Sequence, residues 1–308
     1  MAGGIHKTIA AQNEALIAAG SYTGPRGGVV ELEALVEKAC AGTRLYSPIG
    51  AERLLSRQSG SANAGREQAT TEVTGESSMQ AAQWLVAEDA TGIAVLNFAS
   101  GRNPGGGYLG GARAQEEDLC RVSALYRTLL LAPEYYATHR ATRDPFYSHH
   151  IIYSPNVPVF RDERYVLLDQ PYTVSFLTSP APNAGVIARD HPDRLGDVPR
   201  VLAERAARVL AVAAEHGERT LVLGAWGCGV FQNDPGHVAA AFRDLLGAGG
   251  EFARTFDRVV FAVLDRAARQ PNLTAFRAAF PADGPGQPAR RGSDRPDHPG
   301  ILVPSEGE

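Results

Sequence analysis

Hydrophobic and polar positions along this chain switch between two periods. Three stretches, Ile93–Ser100, Thr220–Gly224 and Arg258–Leu264, are almost continuously apolar over the length of a strand. That is the pattern of strands covered on both faces. Around them apolar residues recur three and four apart, the period of helices that bury one face. This spacing predicts a helix over residues 5–20, with Ile5, Ile9, Leu16 and Ile17 inward and Gly20 as its stop, and a second over 30–41. Ser77 and Gln80 have capping-box spacing and predict a helix start that runs on to about Asp89. Leu119, Val122, Leu125, Tyr126, Leu129 and Leu130 predict one helix over 116–131, stopped by Pro133. Val201, Leu202, Ala206, Val209, Leu210 and Val212 predict another over 198–216. Asp234 fits an N-cap and Pro235 a first helical position for 235–246, and 272–280 closes the set. Shorter patterns predict strands over 43–46, 70–74, 149–153 and 172–178. Val159-Phe160 and Tyr165–Leu168 suit a small hairpin, with Ser154–Pro158 as a rigid connector. Strands alternating with helices make the fold class α/β.

Composition narrows the picture. At 308 residues the chain has room for one large domain or two small ones. A net charge of −4 gives no basic footprint for duplex nucleic acid. The three cysteines, Cys40, Cys120 and Cys228, are far apart, with no CxxC pair. They indicate neither a zinc ribbon nor a disulfide framework, and they suit a reducing cytoplasm. No secretory apolar core opens the chain, and no run reaches the ~18 apolar residues of a membrane span. Residues 56–68 have the Ser, Gly, Asn and Gln content of a flexible connection. From Pro281 onward the composition predicts disorder over 283–308, with Arg290-Arg291 as solvated charge.

Two strand-to-helix junctions carry the candidate chemistry. After Ile93–Ser100 comes Asn103-Pro-Gly-Gly-Gly-Tyr-Leu-Gly-Gly-Ala-Arg-Ala-Gln-Glu-Glu117, with five glycines between Gly105 and Gly111. Glycine lets backbone approach a ligand closely, and a glycine loop leading into a helix presents N–H groups to phosphate or sugar oxygens. Glu116, Glu117 and Asp118 also suit a helix start on electrostatic grounds alone. That explains the acids but not the long glycine loop before them. The second junction is Gly224-Ala-Trp-Gly-Cys-Gly-Val-Phe231. In open α/β sheets ligands bind where two such loops meet beyond the strand ends. Gly105, Gly107 and Gly110 have G-x-G-x-x-G spacing, but no acidic residue ends an obvious second strand at the usual distance, which argues against a dinucleotide fold. His149 and His150, alternating in a strand, point to opposite faces and suit no shared metal ion. Cys228 has no base beside it in sequence and suits a small packing role.

Three glycines, seven residues, then Gln115-Glu116-Glu117 resembles the signature of poly(ADP-ribose) glycohydrolases, and Gly224–Phe231 resembles that family's diphosphate loop. Val95–Ser100 and Tyr153–Phe160 are similar to the bacterial-type branch, and the likeness covers about residues 5–280. The resemblance implies a macrodomain-like mixed sheet sandwiched by helices, in a catalytic domain over 61–282, with residues 1–60 as an added N-terminal helical region packed on it. It implies Glu117 as the catalytic acid and Glu116 as the glutamate that binds a ribose hydroxyl. Gln115 would brace the loop, and Asn103 would meet the terminal ribose beside Gly105, Gly106 and Gly107. Gly227, Cys228, Gly229 and Val230 would line the diphosphate, and Phe231 would pack on the terminal ribose. The ligands implied are ADP-ribose and poly(ADP-ribose), including polymer on modified proteins, with no cofactor and no metal.

The chemistry agrees with the residues. Cleaving a ribose–ribose O-glycosidic bond needs a proton on the leaving oxygen. Glu117 could donate it, then activate water, if Glu116 and burial hold its carboxyl protonated against the helix dipole. Adjacent residues on one helical turn cannot flank a sugar from both faces, so the scheme uses one acid rather than an opposed pair. Two alternatives differ in what leaves: a module that binds ADP-ribose without turnover, and a hydrolase of mono-ADP-ribosylated protein. Similarity to the bacterial branch implies cleavage from the chain end.

Overall fold

The computed structural model describes residues 2–58 and 66–281. The tail expected to be disordered and the centre of the 56–68 connection lie outside these residues. The strands are β1 (Ser21–Thr23), β2 (Val29–Glu31), β3 (Arg44–Tyr46), β4 (Thr70–Thr74), β5 (Ile93–Phe98), β6 (Ile151–Arg161), β7 (Leu167–Ser179), β8 (Thr220–Leu223) and β9 (Arg258–Ala262). The helices are α1 (Ala2–Ala19), α2 (Glu33–Gly42), α3 (Pro48–Gln58), α4 (Ser78–Ala87), α5 (Gln115–Val122), α6 (Leu125–Leu129), α7 (Pro133–Thr142), α8 (Ala184–Asp190), α9 (Val198–Glu215), α10 (Pro235–Leu246) and α11 (Pro271–Ala279).

Among the described residues, seven strands form one mixed sheet in the order β3-β6-β7-β5-β8-β9-β4, and β1 and β2 pair separately. The apolar strands lie at its centre. In β5, Ala94 and Leu96 face one core with α3, α9, α10 and α11, while Ile93 and Val95 face a second core with α1, α2, α4 and α5. Leu221 and Leu223 against Val222 repeat that division in β8, as do Val259 and Phe261 against Val260 in β9. Strand alternation with both faces apolar produces a sheet sandwiched by helices, the fold the resemblance implied. Within residues 1–60, β3 is the edge strand of the main sheet and pairs antiparallel with β6.

Local signals hold where predicted. The Ser77 side chain accepts from the Gln80 N–H while the Gln80 side chain accepts from the Ser77 N–H. Asp234 caps α10 by accepting from the Gly236 and His237 N–H groups. Other expectations need correction. The helix expected over 30–41 gives up Val30 to β2 and begins at Glu33. The helix expected over 116–131 breaks at Ser123, whose extended backbone bridges to Val159 and whose hydroxyl donates to the Leu119 carbonyl. Pro133 does not stop that helix; it opens α7 at the first turn. The connector over 154–158 is the middle of β6, which absorbs its prolines through a register shift between Ser154 and Val157.

Candidate active site

β5 and β8 are parallel neighbours, paired from Ile93↔Thr220 to Val95↔Val222. Their C-terminal ends therefore release the two glycine-bearing loops side by side, as expected for a ligand crevice in such a sheet.

The first loop is folded tightly onto the carboxylates that follow it. The Gly107 N–H donates to Glu117 Oε1 at 2.8 Å. Gly106 has φ +59°, and a Cβ there would overlap Glu117 Oε1 and lie 3.1 Å from Glu116 Oε2. Only a residue without a side chain lets this backbone wrap the carboxylates. Glu116 and Glu117 are both buried, at 3% and 7% exposure. Glu117 Oε2 has no hydrogen-bond partner.

Glu116 is held from the strand side. Its Oε1 accepts from the Asn97 amide at 3.2 Å and its Oε2 from the Ser100 N–H at 2.7 Å. Burial, with a further contribution from the charge of Glu117, pushes the Glu116 carboxyl up to about 8. Gln115 spans the junction: its side-chain oxygen accepts from the Phe98 N–H at 2.9 Å, and its amide donates to the Leu96 carbonyl at 2.8 Å and to Ser78 Oγ at 3.1 Å. This stitches the start of α5 to the end of β5. Asn103 is exposed at the outer turn, its N–H donating to Ser100 Oγ and its carbonyl accepting from the Gly106 N–H.

The second loop offers amides instead of acids. Among the described residues, the N–H groups of Gly227, Gly229, Val230 and Phe231 have no acceptor, whereas Cys228 and Gln232 donate to Ala225 and Gly229. Free N–H groups gathered in one turn make an anion-binding concavity. Gly227 has φ +73°, and a Cβ there would come within 2.5 Å of Ala181 Cβ and of the Asn233 amide. Asn233 donates to the Pro182 and Gly227 carbonyls and so fixes the loop from beneath. The Trp226 indole N–H donates to the Ser179 carbonyl. Val230 is exposed at the rim, and the Phe231 ring lies 5.8 Å from that of Tyr147. Burial, helped by Asp234, pushes the Cys228 thiol up to about 12, which disfavours a thiolate nucleophile.

Sequence reasoning missed the residues that set these groups in place. Asn97 is a polar residue inside an otherwise apolar central strand, and that interruption was the available signal. Ser78 and Ser100 carried none. Among the described residues no cluster of His, Cys, Asp or Glu could hold a metal ion, and no helix is long and apolar enough to cross a membrane. The two histidines of the metal question stand before β6 on separate partners: His150 Nδ1 meets Ser148 Oγ at 2.7 Å, and His149 Nδ1 accepts from Arg205.

Comparison with known proteins agrees with this geometry. A family described as "Microbial-type PARG, catalytic domain" matches residues 10–162. No curated protein matches. Among solved structures, the poly(ADP-ribose) glycohydrolase of Thermomonospora curvata is 48% identical, with a TM-score of 0.86 over 90% of this chain and 100% of that one. The same enzyme bound to the inhibitor ADP-HPD aligns over the same shares with a TM-score of 0.84 and 48% identity. The poly(ADP-ribose) glycohydrolase of Deinococcus radiodurans in complex with ADP-ribose is 48% identical, with a TM-score of 0.76 over 82% of this chain and 99% of that one. Identity at that level over nearly the whole length, on a sheet that presents both glycine loops, shows that this chain belongs to the bacterial poly(ADP-ribose) glycohydrolase family.

Proposed function

We propose that this chain cleaves the ribose–ribose O-glycosidic bonds of poly(ADP-ribose), from the chain end, releasing ADP-ribose with Glu117 as general acid and then general base. The observation that carries this reading is the asymmetry of the Glu117 carboxyl. One oxygen accepts the Gly107 N–H, and the other is buried without a partner. A buried carboxyl oxygen left unsatisfied is costly unless a ligand completes it. The second loop suits the diphosphate of ADP-ribose, with its free N–H groups at Gly227, Gly229, Val230 and Phe231. A ligand held there by its diphosphate would extend its distal ribose toward Glu116 and Glu117 across the adjacent ends of β5 and β8.

The steps follow from that placement. Glu117 gives its proton to the glycosidic oxygen as the bond from the anomeric carbon breaks and its electron pair passes to that oxygen. The oxocarbenium character that develops is stabilised by negative charge nearby, including the substrate diphosphate. Glu117, now a carboxylate, takes a proton from water as the water oxygen bonds to the anomeric carbon, which restores the acid. Glu116, fixed by Asn97 and Ser100, presents its carboxyl to a ribose hydroxyl and positions the sugar. Asn103 meets the same ribose from the outer turn, and Phe231 packs on its face. Polymer attached to modified proteins is the substrate expected.

The test is release of ADP-ribose from polymer-bearing protein compared with mono-modified protein. Release from the polymer substrate, with the protein-linked unit left behind, supports the reading. Release from the mono-modified protein alone would transfer the activity to the protein–ribose bond. Binding of ADP-ribose with release from neither would make the chain a binding module.

A further inference from the structure

Between the two loops stands a residue that neither junction contains. Tyr147 adopts φ +55°, a left-handed conformation that is an outlier for a bulky side chain. Its ring lies directly over Gly101, where a Cβ would sit 2.6 Å from Cε1 of the tyrosine. On its other side the ring meets that of Phe231, 5.8 Å away at 32°. Tyr147 therefore touches the segment that leads into the acidic loop and the last residue of the amide loop at once.

The surroundings hold this conformation firmly. Arg205 is fully buried in α9, and its guanidinium donates to the Phe146 carbonyl at 2.8 Å, the Tyr147 carbonyl at 3.4 Å and the Pro180 carbonyl at 2.7 Å. One cation thus fixes the backbone of Tyr147 and the turn whose Ala181 packs under Gly227. His139, buried in α7, donates from Nδ1 to the Gly101 carbonyl at 3.1 Å and accepts the Ser148 N–H at Nε2, with its ring 5.4 Å from that of Tyr147. Gly101 is clasped between His139 and Tyr147, and Tyr147 between Arg205 and Phe231. A strained residue that is held on every side and bridges two loops of a site is where positioning is built in.

We infer that Tyr147 is a positioning residue, a strut whose ring sets the spacing between the Glu116–Glu117 carboxyls and the amide loop at Gly227–Phe231. This rests on the function proposed above. Its consequence is specific to ligands that span both loops. ADP reaches the amide loop alone, whereas ADP-ribose must also bring its distal ribose to the glutamates.

The test uses Tyr147→Asn, which removes the ring while tolerating the left-handed backbone, and Tyr147→Phe, which keeps the ring. In the full chain, Tyr147→Asn is expected to lower kcat on polymer by ~10- to 10²-fold, the scale of a displaced catalytic group. ADP-ribose affinity by calorimetry should fall on the order of 10-fold and ADP affinity by less than about 3-fold, and Tyr147→Phe should recover both losses. Turnover within about 3-fold of the unsubstituted protein, or equal loss of ADP and ADP-ribose affinity, would overturn the strut and leave the ring a fold contact. Should Tyr147→Asn fail to fold, Gly101→Ala displaces the ring without deleting it, and the same split between the two ligands decides. Failure of the unsubstituted protein to bind ADP-ribose or release it from polymer would instead refute the proposed function.

Discussion

Gly106→Ala is the substitution on which the catalytic loop turns. The change adds one carbon. At φ +59° the backbone disfavours any L side chain by roughly 1–2 kcal/mol. The new Cβ would also overlap Glu117 Oε1, lie 3.2 Å from Glu117 Cδ and 3.1 Å from Glu116 Oε2. Carbon and oxygen settle near 3.5 Å or beyond, so the Glu117 carboxyl must retreat by about 1 Å and lose the Gly107 N–H. Misplacement on that scale costs on the order of 10²-fold in rate. Stability should suffer much less: 1–2 kcal/mol lowers the melting temperature of a protein of this size by roughly 2–8 °C. The assay is ADP-ribose release at saturating polymer, with Gly110→Ala as the control. Gly110 lies in the same loop, with nothing within 4 Å of its added Cβ, and its alanine variant should stay within about 3-fold. Gly106→Ala turning over within about 3-fold of the unsubstituted protein would refute the claim that this loop conformation seats the acid.

Further expectations concern separate links. Gly227→Ala, strained by φ +73° and by overlap with Ala181 and Asn233, should raise KM and weaken ADP-ribose binding by about 10-fold or more while changing kcat little, a split that steady-state kinetics reads directly. Gln115→Ala leaves the Phe98 N–H and the Leu96 carbonyl without this partner, which costs about 1–3 kcal/mol and frees the start of α5, so denaturant midpoint and kcat should fall together. Glu116 supplies a pH signature. Its folded carboxyl is raised by burial to about 8 from an ordinary 4.5, so the folded state binds the extra proton between those values and stability declines as pH rises through that window. Glu116→Gln should flatten the decline in pH-dependent denaturation, and an unchanged slope would show that the carboxyl is not desolvated as described.

The parts of the fold that declared themselves in the sequence depend on short-range rules. The central strands did so because both faces are buried and nearly every position is apolar. The Ser77–Gln80 box and the Asp234 cap did so because each satisfies orphan N–H groups within one turn. What stayed hidden depends on residues far away. Ser123 breaks a continuous apolar period because β6 offers it a bridge at Val159, a partner that no window around Ser123 contains. Pro155 and Pro158 argue against an interior strand, yet a register shift in the pairing with β7 accommodates them. Gly105 to Glu117 and Gly224 to Phe231 were legible as loops from their glycines, but their adjacency required the β5–β8 pairing. Arg205 left a trace: a cation on the inward face of α9, between Leu202 and Val209. Tyr147 left none, since a left-handed aromatic residue is imposed by its surroundings.

The proposed chemistry stands or falls on Glu117. With Glu117→Gln the side chain keeps its shape and its oxygen can still accept the Gly107 N–H, but it cannot deliver a proton. Calorimetry with ADP-ribose alongside single-turnover cleavage of polymer therefore separates holding from reacting. The prediction is ADP-ribose affinity within about 3-fold of the unsubstituted protein, with cleavage slower by at least ~10²-fold, the usual contribution of a positioned acid. Cleavage at near the original rate by Glu117→Gln would contradict the assignment of the acid and, with it, the reading of this site.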